Sequence, residues 1–499
     1  MTDTCARPST ATRYLLAGVV HLLLFTTNAC AERLSPTQAS HPDKSLSANE
    51  QTIALALNEA VLLGLRNNHA IRSAYFERIV QKFDLRVEKD RFTPKLVLSS
   101  RHLATRNQDD HYRQNEVAPS TTLLGEYGTQ FSLSWRHHLT QANHAGRTHN
   151  DGATFSVIQP LLRGAGREVA TAPIRLAELA EQVNRLNLKA TVSSTVTQII
   201  TAYRELLRAQ EQLRITREAL ARSRQLLDAN KVMIASGRMA EFELVQTEAD
   251  VATQELAVEE ASNQLDASRL ELLHLLALDL QTPVQAIERL DVTRTDFGLA
   301  EALAVAQNQQ PTYLTQLIAI EQAAVNLTVA RNERLWDLSL IGAATQARSR
   351  YPGERGYASD HTWEGYAGLQ VEIPIGDLSR RQAEVRARVN VETQDIRLSE
   401  TRQLLERDVG DAVRNLGTRW RQYEIAQRAR ELSRRKLDIE REKLQAGRSS
   451  NFQVLSFEAD LRTAESTRLN ALIAYLNTQA QLDQTLGTTL ESWDIDLND

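Results

Sequence analysis

Residues Arg167 to Ser236 form a stretch of 70 residues that holds no glycine and only one proline, Pro173. It is filled with Ala, Leu, Arg, Glu and Gln, which all favour the helix. As one helix it would be about 105 Å long, far beyond the length usual in globular domains. Gly237 ends the run, and a second glycine-free stretch continues to Gln281, before Pro283. The C-terminal part follows the same plan. Asp377 to Ala446 has no proline, Gly447 follows, and a further helical stretch reaches Leu486 before Gly487. Helices of this length need lateral partners. A hairpin turning at each glycine supplies one partner within the chain, and self-association would supply the rest.

The two tips are alike in sequence. Residues 236–250 read SGRMAEFELVQTEAD and residues 446–460 read AGRSSNFQVLSFEAD, with Gly237/Gly447, Arg238/Arg448, Phe242/Phe452 and Glu248-Ala249-Asp250/Glu458-Ala459-Asp460 in common. Leu57-Asn58-Glu59-Ala60 corresponds in the same way to Leu299-Ala300-Glu301-Ala302. An internal duplication follows: a first repeat over residues 51–290 and a second over 291–490, with a tail at 491–499. Long helices are expected over 167–236, 242–281, 378–446 and 452–486.

Between the helices of each repeat the apolar period changes to two. Leu369, Val371, Ile373 and Ile375 alternate with Gly368, Gln370, Glu372 and Pro374, and Phe131, Leu133 and Trp135 alternate with Ser132 and Ser134. This is the pattern of strands with one apolar and one polar face, placed at about 94–160 and 336–375. A half-buried sheet alternates in this way, and so does a membrane barrel with a polar lumen. Trp135, Trp363 and Tyr366 are candidates for interfacial aromatic girdles. Open edges are not tolerated in lipid, so a membrane barrel here would need several chains. The expected class is an α+β membrane protein, a duplicated helix–β-hairpin–helix unit.

The N-terminus reads as an export signal over residues 1–31. Arg7 and Arg13 precede an apolar run from Tyr14 to Phe25, too short to span a bilayer. Two exits fit: cleavage after Ala31, or acylation of Cys30. A flexible leader is expected over 32–50. Cys5 and Cys30 are the only cysteines, so the mature chain carries no disulfide framework or thiolate metal site. The net charge of −5 lacks the basic excess of a nucleic-acid binder. The mean hydropathy of −0.38 does not fit a bundle of membrane helices.

Taken in order, LALNEAVLLGLRNN (55–68), VIQPLLRGAG (157–166), VEIPIGDLSRRQAEVRAR (371–388), both tips and AYLNTQAQLDQTLG (474–487) resemble the TolC family of outer-membrane efflux proteins. The resemblance implies a homotrimer in the outer membrane of a Gram-negative bacterium. Each protomer would add four strands to a twelve-stranded β-barrel and long helices to a periplasmic α-barrel. It implies a passive exit duct of a tripartite efflux or secretion system, with a periplasmic adaptor (membrane fusion) protein and an inner-membrane pump as partners. The tips, Gly237, Arg238, Gly447 and Arg448, would meet the adaptor. The two arginines equally suit the capping of helix-end carbonyls.

The chain departs from the family where acidic rings narrow the periplasmic entrance, since Gln453 and Ser456 occupy those positions. Glu241 and Glu243 of the first tip are the remaining candidates for a gate. They also suit a helix N-terminus, where negative charge offsets the macrodipole. The first repeat is longer by 32 residues, within 104–152, which leaves room for an extra hairpin or for a larger outer loop.

No catalytic or phosphate-binding signature is present, and neither an enzymatic activity nor a cofactor is expected. His102, His111, His137, His138, His144 and His149 cluster with Asp109, Asp110 and Asp151, a composition that suits divalent transition metals and equally a polar outer loop. The other reading of the whole chain is a periplasmic coiled-coil adaptor or scaffold that never enters the outer membrane.

Overall fold

A computed structural model of the chain describes residues 52–497, apart from 107, 109, 110, 145, 289, 291, 354 and 355. The export signal at 1–31 with Cys30, the leader at 32–50, and Asp109 and Asp110 lie outside the described residues.

Four long helices set the architecture. Helices α1 (Leu57–Asn67) and α2 (His69–Lys89) lead into the first β region, which is followed by α3 (Ala172–Ala235) and α4 (Phe242–Leu275). The second repeat runs α5 (Leu299–Gln309), α6 (Pro311–Glu333), its β region, α7 (Ser379–Gln445) and α8 (Asn451–Leu486). The pairs match closely in length. Helices α1 and α5 have 11 residues each, α2 and α6 have 21 and 23, α3 and α7 have 64 and 67, and α4 and α8 have 34 and 36.

Helix α3 is about 96 Å long. It begins after a one-turn helix, Arg167–Ala170, because Pro173 lacks the N–H that a continuing helix would require. Helix α4 lies along the tip half of α3, where Ser223 donates to Asp250 at 2.6 Å and Arg224 pairs with Glu255 at 2.7 Å. Helix α2 covers the other half, through the Arg78–Glu181 ion pair and Lys89–Glu178 at 3.2 Å. Around α7, α8 and α6 divide the length in the same way, with Lys436–Asp460 at 3.0 Å and Arg334–Glu384 at 2.8 Å.

Helix α4 stops short of the expected Gln281. It ends at Leu275, and Ala277 takes a left-handed conformation with φ 50°. The chain then turns into β6 (Val284–Ala286), which pairs in parallel with β1 (Ile53–Leu55). This belt caps the main core, where Ile71, Ile199, Ile200, Tyr203, Leu206, Leu272, Leu273 and Leu276 are almost wholly buried. Each such aliphatic side chain contributes about 1.5–3 kcal/mol of burial. The Tyr203 hydroxyl donates to the Leu55 carbonyl at 2.8 Å and ties the strand pair to α3. A second cluster, including Ala306, Leu405, Val409, Tyr475 and Leu482, holds α5, α7 and α8 together.

The β regions of both repeats form one antiparallel sheet. The strands are β2 (Lys95–Arg106), β3 (His111–Leu124), β4 (Gln130–Ala142), β5 (Gly146–Pro160), β7 (Asp337–Gly353) and β8 (Gly356–Glu372), in the order β2-β3-β4-β5-β7-β8. The four strands per protomer implied by the resemblance are therefore corrected to six. The extra residues of the first repeat fold as a further hairpin, β3–β4, rather than as a loop. Strand β4 shows its alternation at Phe131, Leu133 and Trp135, but the polar composition of β3 hid it, because Tyr112 to Glu116 shows no apolar alternation and Pro119 interrupts the run. The structure accommodates Pro119 at a gap in the β3–β4 ladder, which skips Ala118 and Pro119.

Candidate channel wall and hairpin tips

The register sorts every strand residue onto one of two faces. One row across the sheet is Leu96–Thr121–Leu133–Phe155–Ala344–Gly365, and two residues further along the same face carries Trp135–Ala153–Gln346–Trp363. Leu98, Leu340, Leu369 and Val371 also lie on this face, and nothing among the described residues covers it: Trp363 is 77% exposed and Leu369 66%. The opposite face carries Thr122–Ser132–Ser156–Ala343–Tyr366. There the Ser132 and Ser156 hydroxyls share a hydrogen bond at 2.7 Å, and Glu116 accepts from Arg101 at 2.7 Å and lies 3.2 Å from Arg136. Tyr366 thus lies on the polar face, and the girdle expectation is corrected for it. Its separation from Trp363 is an odd number of residues, which in a strand means opposite faces.

Beyond the tryptophan row the apolar face becomes charged, in the row His137–Asp151–Arg348–His361. The clustered histidines fall at this end of the sheet. His137 bonds Asp151 and stacks near Trp135 at 6.0 Å between ring centroids, and His102 bonds Asn115. His138 lies on the other face and bonds Thr140 at 3.0 Å. Among the described residues no group of three or more His, Cys, Asp or Glu is arranged to hold a metal ion.

Among the described residues the outer strands β2 and β8 each have one neighbour only. Each continues into a helix with an exposed apolar stripe. On α2 the stripe is Phe76, Ile79, Phe83 and Val87, with both phenylalanines 63% exposed. On α7 and the residue before it the stripe is Leu378, Val385, Val389 and Ile396, at spacings of seven and four. These are spacings of one helical face. The sequence reading missed both stripes, since an apolar stripe alone does not say whether the chain's own core covers it.

At the far end of the helices both tips close in the same geometry. Gly237 (φ 72°) donates to the Ile234 carbonyl at 2.9 Å and Arg238 to that of Met233 at 2.9 Å. Gly447 (φ 69°) and Arg448 repeat the pattern onto Leu444 and Lys443, at 3.0 and 2.8 Å. This helix-ending motif requires a left-handed residue, which glycine adopts without strain. The glycines and both arginine side chains are exposed. Glu241 precedes α4 and is exposed, while Glu243 lies in the first turn of α4 and is half-buried. Gln453 lies in the first turn of α8, where its N–H bonds the Ser450 hydroxyl at 3.3 Å. The hydroxyl of Ser449 and the ammonium of Lys443 hold the Glu440 carboxyl below its ordinary range.

One polar node at the tips was not foreseen. Asn230 of α3 donates to Thr247 of α4 at 2.8 Å and to Asn451 of α8 at 2.9 Å, and Asn451 donates to Thr247 at 2.9 Å. All three side chains are fully buried. Asn451 also reaches the Glu243 carbonyl at 3.3 Å. Higher up, Arg222 pairs with Glu458 at 3.0 Å, and Glu458 also holds Arg441. The two hairpins are thus joined near their tips by polar side chains from distant parts of the sequence. Asn451 alone reads as an ordinary residue of a helix start, which is why sequence reasoning passed over it.

No helix among the described residues is long and apolar enough to cross a membrane. A family profile described as outer membrane efflux protein matches residues 289–488. No curated protein matches the chain by sequence. Solved outer-membrane channels match it in fold. The Campylobacter jejuni CmeC channel aligns with a TM-score of 0.66 at 16% identity, over 87% of this chain and 86% of that one. Vibrio cholerae VceC aligns at 0.66 and 14%, over 86% and 96%. The open state of Neisseria gonorrhoeae MtrE aligns at 0.65 and 14%, over 87% and 89%. Residues 289–488 thus match the outer membrane efflux protein profile, and the chain as a whole shares the fold of these solved outer-membrane channels.

Proposed function

We propose that this chain is the passive exit duct of a tripartite efflux or secretion system, and that it works as a homotrimer in the outer membrane. The observation that carries the reading is the sheet with one bare apolar face, two unpaired edges, and an apolar helical stripe below each edge. Lipid covers such a face, and an edge is satisfied only by another strand. Edge β2 with α2 of one copy faces edge β8 with α7 of the next. This head-to-tail contact closes into a ring when the rotation allows it. A periplasmic adaptor or scaffold would have no use for the bare apolar sheet face.

The duct does no chemistry. Its polar face lines a solvated path, and the inner-membrane pump supplies the energy. The exposed tips at Gly237, Arg238, Gly447 and Arg448 receive the periplasmic adaptor. Glu241 and Glu243 border the entrance as its gate. Adaptor binding opens the tips to the extent that it favours the open arrangement over the closed one. The N-terminal signal directs export, with Cys30 as the lipid anchor point.

Purified protein reconstituted in planar bilayers tests this. A trimer that shifts on a gel after heating and conducts ions is expected, with larger currents after alanine replaces Glu241 and Glu243. A protein that forms no pore in either version, or that stays monomeric and soluble, removes the reading.

A further inference from the structure

We infer that the membrane wall has eighteen strands, with the β3–β4 hairpin built into it. The inference rests on the trimeric duct reading, because the number is three copies of the six-stranded sheet.

The hairpin lies inside the sheet. Strand β2, which enters from α2, reaches β5 only through β3 and β4. The edge offered to the next copy is therefore on the far side of the hairpin, and closure between copies has to include it. Strands β3 and β4 have 14 and 13 residues, and about 9–11 suffice to cross the hydrocarbon layer.

The facing pattern continues through the hairpin without a break. Leu123, Phe131 and Val157 share one row of the apolar face, and Thr121, Leu133 and Phe155 share the next. Ser120 and Ser134 pair on the polar face, and so do Thr122 and Ser132. A hairpin lying in the lumen or above the membrane would have no need of an outward apolar face.

The turns agree with this placement. The β3–β4 connection is a tight turn, Gly125 to Thr129, closed by the Gly125 N–H on the Thr129 carbonyl at 2.7 Å. It packs at the helical end of the sheet, where a Cβ on Gly128 would lie 2.3 Å from the Gly164 carbonyl oxygen. The hairpin thus turns on the side of the helices, so that β3 and β4 run the height of the sheet between its two ends.

At equal tilt, eighteen strands enclose a bore about one and a half times as wide as twelve, within the range that leaves an open aqueous channel. The outlet is then porin-like in width, suited to bulky or hydrated cargo, and the helical tips remain the narrow point.

Cryo-electron microscopy of the full-length protein in lipid nanodiscs counts the strands, and eighteen are expected. Single cysteines give a second measure, since the chain has none after Cys30. In vesicles, a charged maleimide is expected to label Thr122→Cys and Ser132→Cys from the lumen, with labelling lost at Thr121→Cys and Leu133→Cys. A trimer with twelve wall strands, or equal labelling at all four positions, overturns the inference and leaves the duct reading intact. A protein that forms no trimer overturns both.

Discussion

Replacing Arg204 with methionine tests how the belt holds a charge. Arg204 of α3 donates to the Leu476 carbonyl at 2.5 Å, and the charges of Glu288 and Asp483 attract it. Burial pulls the guanidinium well down from its ordinary value, to about 10, against the attraction of the two carboxylates. That fall corresponds to about 3 kcal/mol against the charged form. Burial also raises both carboxyls above their ordinary values of 4.5 and 3.8, and Arg204 opposes that rise.

Methionine keeps the length of the side chain and removes the charge. The variant loses one hydrogen bond, about 1 kcal/mol, and escapes the desolvation of the guanidinium. At low pH the two carboxyls, whose values burial raises, have less need of a counter-charge, so the variant melts at or above the wild-type temperature.

The sign then reverses with pH. A carboxyl whose folded value is raised gives its full stability below the unfolded value, and loses it as pH rises through the folded value. Without Arg204 both folded values rise further, so the loss continues to higher pH, at about 1.4 kcal/mol per pH unit for each carboxyl. Thermal melting followed by tryptophan fluorescence at pH 4.5 and pH 8 reads the difference. A melting-temperature gap between variant and wild type that is the same at both pH values would refute the electrostatic account. Adding Asp483→Asn to the variant is expected to flatten its pH dependence.

Two left-handed glycines separate strain from crowding. Gly447→Ala meets open space and costs about 1–2 kcal/mol of backbone strain. Gly487→Ala (φ 81°) also places its Cβ 2.6 Å from the Gln309 carbonyl oxygen, so its melting temperature falls well below that of Gly447→Ala. Asn230→Ala leaves the buried Asn451 amide oxygen without its donor and costs about 1–3 kcal/mol. Hydrogen exchange is expected to quicken first at the tip amides, and uniform quickening along the helices would contradict a local node. On the sheet, Leu133→Arg puts a charge on the apolar face at a cost of about 2–4 kcal/mol if it lies near mid-membrane. Ser132→Arg on the polar face is expected to assemble almost normally, as measured by the yield of heat-modifiable trimer.

The long helices were legible because their punctuation is local. Gly237, Gly447 and Gly487 each end a helix by adopting a conformation that other residues avoid, so these ends could be read from single residues, whereas Pro173, inside the run expected from 167, moves the start of α3 to Ala172. The duplication was legible for the same reason, since equal tips need equal turn residues. The alternation of 369–375 and 131–135 likewise announced strands with two unlike faces.

Strand number was a different matter. A polar-lined sheet tolerates almost any residue on one face, so the sequence from His111 to Glu116 carried little sign of a strand. Only the backbone pairing to β2 and β4 made it one. The early end of α4 at Leu275 was likewise set by the need to bring Val284–Ala286 beside Ile53–Leu55, a contact between segments more than two hundred residues apart. The node of Asn230, Thr247 and Asn451 belongs to the same class. Sequence alone determined where this chain bends and which stretches are rods or ribbons. Tertiary structure alone decided how many ribbons share a sheet and which polar groups satisfy one another, because hydrogen bonds between distant segments leave no periodicity in either partner.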